Sequence, residues 1–207
     1  MDNLESLFLL QKRNVMEASL VLARAFQDDP LSSYFFPNPD ERREMLPAFF
    51  EFRLGSAVRH GTVYTTSTNM EGIAAWLPSD FGKESMLKML WHGGFKLFRK
   101  VGNSGVVRMI AAADYVTSLR KKNAGDKFLH LEMLVVEPKL QGMGFARNLL
   151  EPMFERLDSQ NLPCYLETTS EKNVPFYQHL GFEVVDENTI PESSVRIWDM
   201  IRKPITS

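Results

Sequence analysis

The chain has 207 residues, 44% of them hydrophobic and 24% charged, with a formal net charge of −2. That length suits one domain with a substantial core, and the near-neutral balance gives no reason to expect a nucleic-acid partner. One cysteine, Cys164, excludes an intramolecular disulfide and fits a reducing compartment; in its predicted strand it reads as a small buried hydrophobe in preference to a nucleophile. The N-terminus, Met1 to Glu5, carries acid where a signal peptide carries base. No apolar run is long enough to span a bilayer, so a cytoplasmic protein without membrane contact is expected.

Asn14 and Glu17 predict a capping pair for a helix over 15–26, with Met16, Leu20 and Ala23 as apolar positions. Asp28, Asp29 and Pro30 end it. Pro37 and Pro39 break the chain before a second helix over 40–60, striped by Met45, Phe49, Phe52 and Leu54. Strands follow over 62–66 and 72–77, around a polar turn at Thr68 and Asn69. Helical segments are expected over 82–91, 93–100 and 105–121. A strand over 128–136, a helix over 144–160 and a strand over 163–168 come next. A short helix over 174–180 and strands over 182–187 and 195–201 complete the chain. No internal repeat or low-complexity tract is present.

Charge is unevenly distributed. Residues 83–127 hold ten Lys/Arg against three Asp/Glu, which leaves the remainder strongly acidic. Such a segment reads as solvated helix faces or as a basic lid over an anionic ligand. The segment 79–126 is longer than a hairpin connection needs and is read as a helical insertion within a single domain spanning 1–207.

The most informative stretch runs from Leu134 to Leu150. An apolar strand meets Pro138, then a short loop containing Gly142 and Gly144 opens directly into an amphipathic helix. Free amides and the positive end of the helix dipole converge there, which suits a diphosphate. A dinucleotide fingerprint is excluded because Arg147 stands where the third glycine belongs, and the Gly-Lys-Ser/Thr of a nucleotide P-loop is absent. Small residues at Gly142, Gly144 and Ala146 let a ligand approach the backbone closely.

Gln141-x-x-Gly144-x-Ala146 resembles the Q/R-x-x-G-x-G/A signature of the GNAT superfamily, the acetyl-CoA-dependent N-acetyltransferases. The preceding strand with Val136 and Pro138, the segment Asn173 to Tyr177, and Leu180-Gly181-Phe182 match in the expected order. The resemblance covers residues 129–202 and, more loosely, the N-terminal part. Asp28-Asp29-Pro30 is similar to a pattern of the puromycin-acetyltransferase-like members, where it would attract a cationic acceptor or simply cap and end a helix. The resemblance implies an α/β (α+β) GNAT fold: a mixed, mostly antiparallel, splayed sheet flanked by helices, here with a helical insertion.

It also implies the site. Acetyl-CoA as cosubstrate would pair its pantetheine arm with the strand edge at Leu134, Val135 and Val136. Its pyrophosphate would lie over Gln141, Gly142, Met143, Gly144, Phe145 and Ala146, with Arg147 adding charge or remaining solvated. Asn173 would bond the pantetheine or its phosphate, cap the following helix, or both. Tyr177, in an N-x-x-x-Y-x-x-x-G-F ending, would protonate the departing thiolate, or anchor its helix to the sheet as a core residue.

Transfer to an amine needs a proton acceptor but no covalent nucleophile. His130 and Glu132 lie two apart on the strand entering the cofactor edge and share one face if that strand is regular. His130 stands near the place of the Glu base of the histone-acetylating branch. Glu167 on the next strand is a third candidate, and His179 is assigned to a helix surface. Phe35, Phe36, Phe49, Phe50 and Phe52 either wall the acceptor pocket or fill the core. No metal is expected, because His60, His92, His130, His179 and Cys164 show no ligand spacing. The expected partner is a small-molecule amine. Acetylation of a peptide or protein amine, and a non-catalytic CoA-binding sensor, remain as alternatives, and a homodimer is compatible with either.

Overall fold

The computed structural model describes residues 3–81 and 95–205, with side chains at 4–81 and 105–205. The chain runs through helices α1 (Val15–Ala25), α2 (Pro30–Phe35) and α3 (Pro39–His60), strands β2 (Thr62–Thr65) and β3 (Gly72–Pro78), and helix α4 (Phe95–Asn123). Strand β4 (Leu129–Val136), helix α5 (Phe145–Ser159), strand β5 (Cys164–Thr168), helix α6 (Val174–His179), and strands β6 (Glu183–Thr189) and β7 (Arg196–Arg202) follow. A two-residue strand β1 (Phe8–Leu9) precedes α1. The seven strands form one sheet in the order β1-β2-β3-β4-β5-β7-β6, antiparallel except for β4 beside β5. The mixed, mostly antiparallel sheet flanked by helices is therefore the one expected.

Two cores divide on the two faces of the sheet. Ile73, Ala75, Met133 and Val135 pack against α1, α3 and α4. Ala74, Trp76, Leu131, Leu166 and Met200 pack against α5 and α6. The alternation of side chains along each strand produces this division, and burial on both faces explains why β3 is almost continuously apolar.

Several local expectations change. Neither Asn14 nor Asn173 makes a side-chain cap bond, because each sits in helical backbone at the end of a 3-10 turn that already leads into its helix. Asp29 and Asn38, with extended backbone, are the residues that cap: Asp29 accepts from the amides of Leu31 and Ser32, and Asn38 from those of Asp40 and Glu41. The Asp28-Asp29-Pro30 stop is thus also the start of α2, with Pro30 at its first position. The segments expected over 93–100 and 105–121 form one helix, because Gly102 and Gly105 lie within the 29-residue α4 and do not break it. The helix expected over 82–91 lies outside the described residues.

The basic segment has a structural use. From the last turns of α4, Arg120 reaches Glu167 on β5 at 2.8 Å and Lys122 reaches Asp186 on β6 at 2.8 Å. Further back, Arg108 donates to the Phe35 carbonyl at 2.9 Å. Positive charge on α4 therefore docks it on an acidic sheet face and on the C-terminus of α2.

Candidate active site

Strands β4 and β5 are hydrogen-bonded only at Leu129 opposite Cys164 and His130 opposite Tyr165. Beyond that they part, although each keeps its outer neighbour, β3 and β7. The backbone edge of β4 toward Leu134, Val135 and Val136 therefore faces a gap and not a strand. Along the other edge of β4 the ladder steps from Trp76 opposite Leu131 to Ala75 opposite Met133, so Glu132 is a bulge without a partner. The strand is not regular. Leu131 joins the core under α5, and Met133 and Val135 join the core under α1 and α3. His130 and Glu132 still share the α3/α4 side, with the His130 Nδ1 3.2 Å from Glu132 Oε2.

At the far end of β4, Glu137 closes the turn onto Leu140 and is itself held by Arg24 of α1 at 2.6 Å. The Gln141 side chain donates to the Val136 carbonyl at 3.3 Å, tying the loop back to the strand. Gly142 and Gly144 have φ of 82° and 86°, the left-handed region that favours glycine. A Cβ at either would meet nothing within 4 Å, so the loop is open on its outer side. The Asn148 amide closes on the Gly144 carbonyl at 3.1 Å. The amides of Phe145, Ala146 and Arg147 precede that bond and emerge from the helix end. Arg147 turns away along α5 to Glu151, 2.6 Å distant, as an exposed pair.

Beneath the gap, on the α3/α4 side, lies an ionised cluster. His130 Nε2 is 2.6 Å from Glu167 Oε2, and Arg120 Nε donates to Glu167 Oε1 at 2.8 Å. Arg53 of α3 donates to Glu132, and its guanidinium lies 5.7 Å from the centre of the Phe49 ring. Burial alone would raise both glutamates, but the arginines and the imidazole beside them prevail. His130 and Arg120 hold Glu167 down at about 2, and Arg53, His130 and Arg120 hold Glu132 below the usual carboxylate range. Both are therefore anions at neutral pH. Each already has an arginine as its partner, and carboxyls held this low are poor proton acceptors.

The structure brings His130, Glu132 and Glu167 together and places Tyr177 on the opposite face of the sheet. Tyr177 is buried among Phe176, Phe182 and the core under α5. Burial, with the nearby Cys164, pushes its hydroxyl above the ordinary phenol range, so it keeps its proton. Asn173 is exposed at the head of α6. His179 is exposed and bonds the Pro175 carbonyl at 2.6 Å. Cys164 is fully buried and its thiol is pushed up by that burial. Of the five phenylalanines, Phe35, Phe36, Phe49 and Phe50 are core residues, packed edge to face, and only Phe52 is partly exposed. Asp29 spends one oxygen on its cap and receives the Thr169 hydroxyl on the other at 3.2 Å, just past the end of β5.

Arg53 and Arg120 were not singled out in the sequence. Each sits inside a helix among other charged residues, and only the packing of α3 and α4 on the sheet identifies its partner. Among the described residues, no group of three His, Cys, Asp or Glu is arranged to hold a metal ion, and no helix is long and apolar enough to cross a membrane.

Comparison with known proteins agrees with this geometry. The chain is 27% identical over 206 residues to an uncharacterised N-acetyltransferase of Schizosaccharomyces pombe, covering 95% of this chain and 83% of that one. A Corynebacterium glutamicum structure described as histone acetyltransferase HPA2 and related acetyltransferase superposes with a TM-score of 0.66 at 19% identity, over 98% and 97% of the two chains. A Drosophila melanogaster polyamine N-acetyltransferase that forms N-acetylagmatine superposes at 0.58 with 15% identity, over 95% and 98%. Residues 65–203, about two thirds of the chain, match the acetyltransferase (GNAT) domain family. The chain belongs to the GNAT acetyltransferase family.

Proposed function

We propose that this protein transfers an acetyl group from acetyl-CoA to a primary amine of a small molecule. The observation that carries the reading is the pairing of an open, glycine-lined helix N-terminus with the parted strands β4 and β5, beside a buried cluster of His130, two carboxylates and two arginines. Gln141 to Ala146 would hold the pyrophosphate, with Met143 exposed beside it, and the edge at Leu134 to Val136 the pantetheine. Amides along that edge also suit the oxyanion of a tetrahedral intermediate.

The ionised Glu132 would receive the acceptor as an ammonium, and His130 Nδ1 would take its proton. The free amine attacks the thioester carbonyl, the tetrahedral intermediate collapses with cleavage of the C–S bond, and the thiolate takes a proton from Tyr177. Base and acid then stand on opposite faces of the sheet, with the thioester in the gap between them. A cationic acceptor is supported by the polyamine substrate of the Drosophila relative, and Glu132 would exchange Arg53 for it.

Free thiol release from acetyl-CoA with a panel of small cationic amines, neutral amines and peptides tests the reading. Turnover with small cationic amines is the expected result. Turnover with peptides alone would move the acceptor to protein, and tight acetyl-CoA binding without turnover on any amine would leave a CoA-binding module.

A further inference from the structure

The two ring nitrogens of His130 have unequal surroundings. Nε2 lies 2.6 Å from Glu167 Oε2, the short separation of a charge-assisted contact. Nδ1 is buried and has no hydrogen-bond partner among the described residues, because Glu132 Oε2, although 3.2 Å away, is out of line with it. Glu167 is not free to turn, since Arg120 Nε holds its other oxygen at 2.8 Å and both side chains are largely buried. An ionised carboxylate only accepts hydrogen bonds. Nε2 must therefore carry a proton, and in the neutral form of the ring the lone pair is on Nδ1.

We propose that Glu167, anchored by Arg120, is a positioning residue that fixes His130 in the Nε2–H tautomer and keeps the Nδ1 lone pair for the proton of the acceptor amine, a role that rests on His130 being the base. Groups from four elements make up this arrangement. Glu132 faces it from its own strand, with Arg53 of α3 behind. From β5 come Glu167 and the Tyr165 ring, 5.8 Å away between centroids. Arg120 comes from α4. Burial would raise Glu167, but His130 and Arg120 keep it an anion, so it orients the ring without taking the proton itself. As the ring accepts the substrate proton on Nδ1, Glu167 lies against the new positive charge. A buried ion pair such as Arg120–Glu167 is a poor device for stability alone, since an apolar pair of similar volume serves as well or better.

Glu167→Gln keeps the shape and removes the charge. The expected loss in kcat/KM is about 10²-fold or more, since removing the charge of a tautomer-fixing carboxylate in a serine-protease triad lowers kcat about 10⁴-fold. Nitrogen NMR of histidine-labelled protein at alkaline pH reads the tautomer directly: Nε2–H for His130 in the wild type, and a mixture or Nδ1–H in Glu167→Gln. Arg120→Met, which leaves Glu167 in place but unanchored, should fall between the two in tautomer and in rate. Because Glu167 acts through His130, Glu167→Gln added to His130→Gln should cost nothing more, whereas a merely structural role would add its full effect. If Glu167→Gln does not fold, Glu167→Asp, which keeps the charge but draws the carboxylate back from Nε2 by one methylene, should lose part of the rate and part of the Nε2–H preference, and a folded Asp variant with neither change overturns the assignment. A folded Glu167→Gln protein that keeps the Nε2–H tautomer, or that slows the His130→Gln background as much as the wild type, overturns the assignment. Unchanged turnover by His130→Gln would instead sink the base reading, and the nitrogen spectra of the resting protein would still decide the tautomer.

Discussion

Arg202 holds Asp158 with two parallel hydrogen bonds, Nη1 to Oδ1 at 2.7 Å and Nη2 to Oδ2 at 2.8 Å. The pair joins the end of β7 to the last turn of α5. The same guanidinium lies 4.5 Å from the centre of the Phe154 ring, and the Ile205 amide adds a third bond to Asp158 at 2.9 Å. Arg202 is the main cause of the depressed Asp158 carboxyl. This bidentate pair, with Arg202 buried, fixes the helix that the loop of Gly142 and Gly144 opens.

Asp158→Ala should therefore destabilise the protein by about 2–4 kcal/mol, because it strands a buried guanidinium as well as removing the bonds. Urea denaturation measures this. The wild-type Asp158 contribution is present above the unfolded carboxylate range and disappears as pH falls through its lowered folded value, so the gap between variant and wild type should close in acid.

Gly144→Glu should weaken acetyl-CoA binding by at least about tenfold, by placing negative charge at the helix end. Residue 144 has φ of 86° and open space around a Cβ. The fold should lose only about 1–2 kcal/mol for a side chain in left-handed backbone. Calorimetry on the folded variant is the check, and unchanged affinity would remove the cradle.

Tyr177→Phe should slow acetyl transfer by about 10²–10⁴-fold in single-turnover measurements, the usual contribution of a positioned acid. Acetyl-CoA affinity should change little, since the hydroxyl matters mainly as charge develops on sulfur. Normal transfer with a small stability loss would leave Tyr177 as a core residue that anchors α6 to the sheet.

Asp199 predicts a second pH dependence of opposite sign. It is fully buried on β7, between Glu167 of β5 and Asp186 of β6. Burial, partly offset by the bond from the Tyr165 hydroxyl, raises its carboxyl to about 6 from the ordinary 3.8, and Glu167 and Asp186 push the same way. Stability from this group is complete below its unfolded value and is lost as pH rises through about 6. Asp199→Asn should remove that loss. Its melting temperature relative to wild type should therefore rise between pH 5 and pH 8 in thermal unfolding at the two values, and a constant difference would refute the shift.

The elements of the second half were legible because each carries a local signal. The glycines before α5, Pro175 at the start of α6 and the alternation of β4 lie within a few residues of what they specify. Other features depend on partners far along the chain. The two-residue β1 exists only because Phe8 and Leu9 pair with Thr65 and Tyr64. Asp29 was legible as a stop but not as the cap of a six-residue helix, which has too few residues for periodicity. His130 and Glu132 could be read as neighbours from their spacing. The arginines that set their charge, Arg53 and Arg120, come from helices 79 and 47 residues from their carboxylates.

The bulge in β4 has one more consequence. If Glu132 were deleted, Leu131, Met133, Leu134 and Val135 would alternate without interruption, each on the face it already occupies. The sheet is thus complete without this residue, and the chain carries it as a supernumerary position beside His130. Its side chain can change in length or charge without moving any neighbour across the sheet. A scaffold built this way can alter the charge beside His130 while its interior stays as it is.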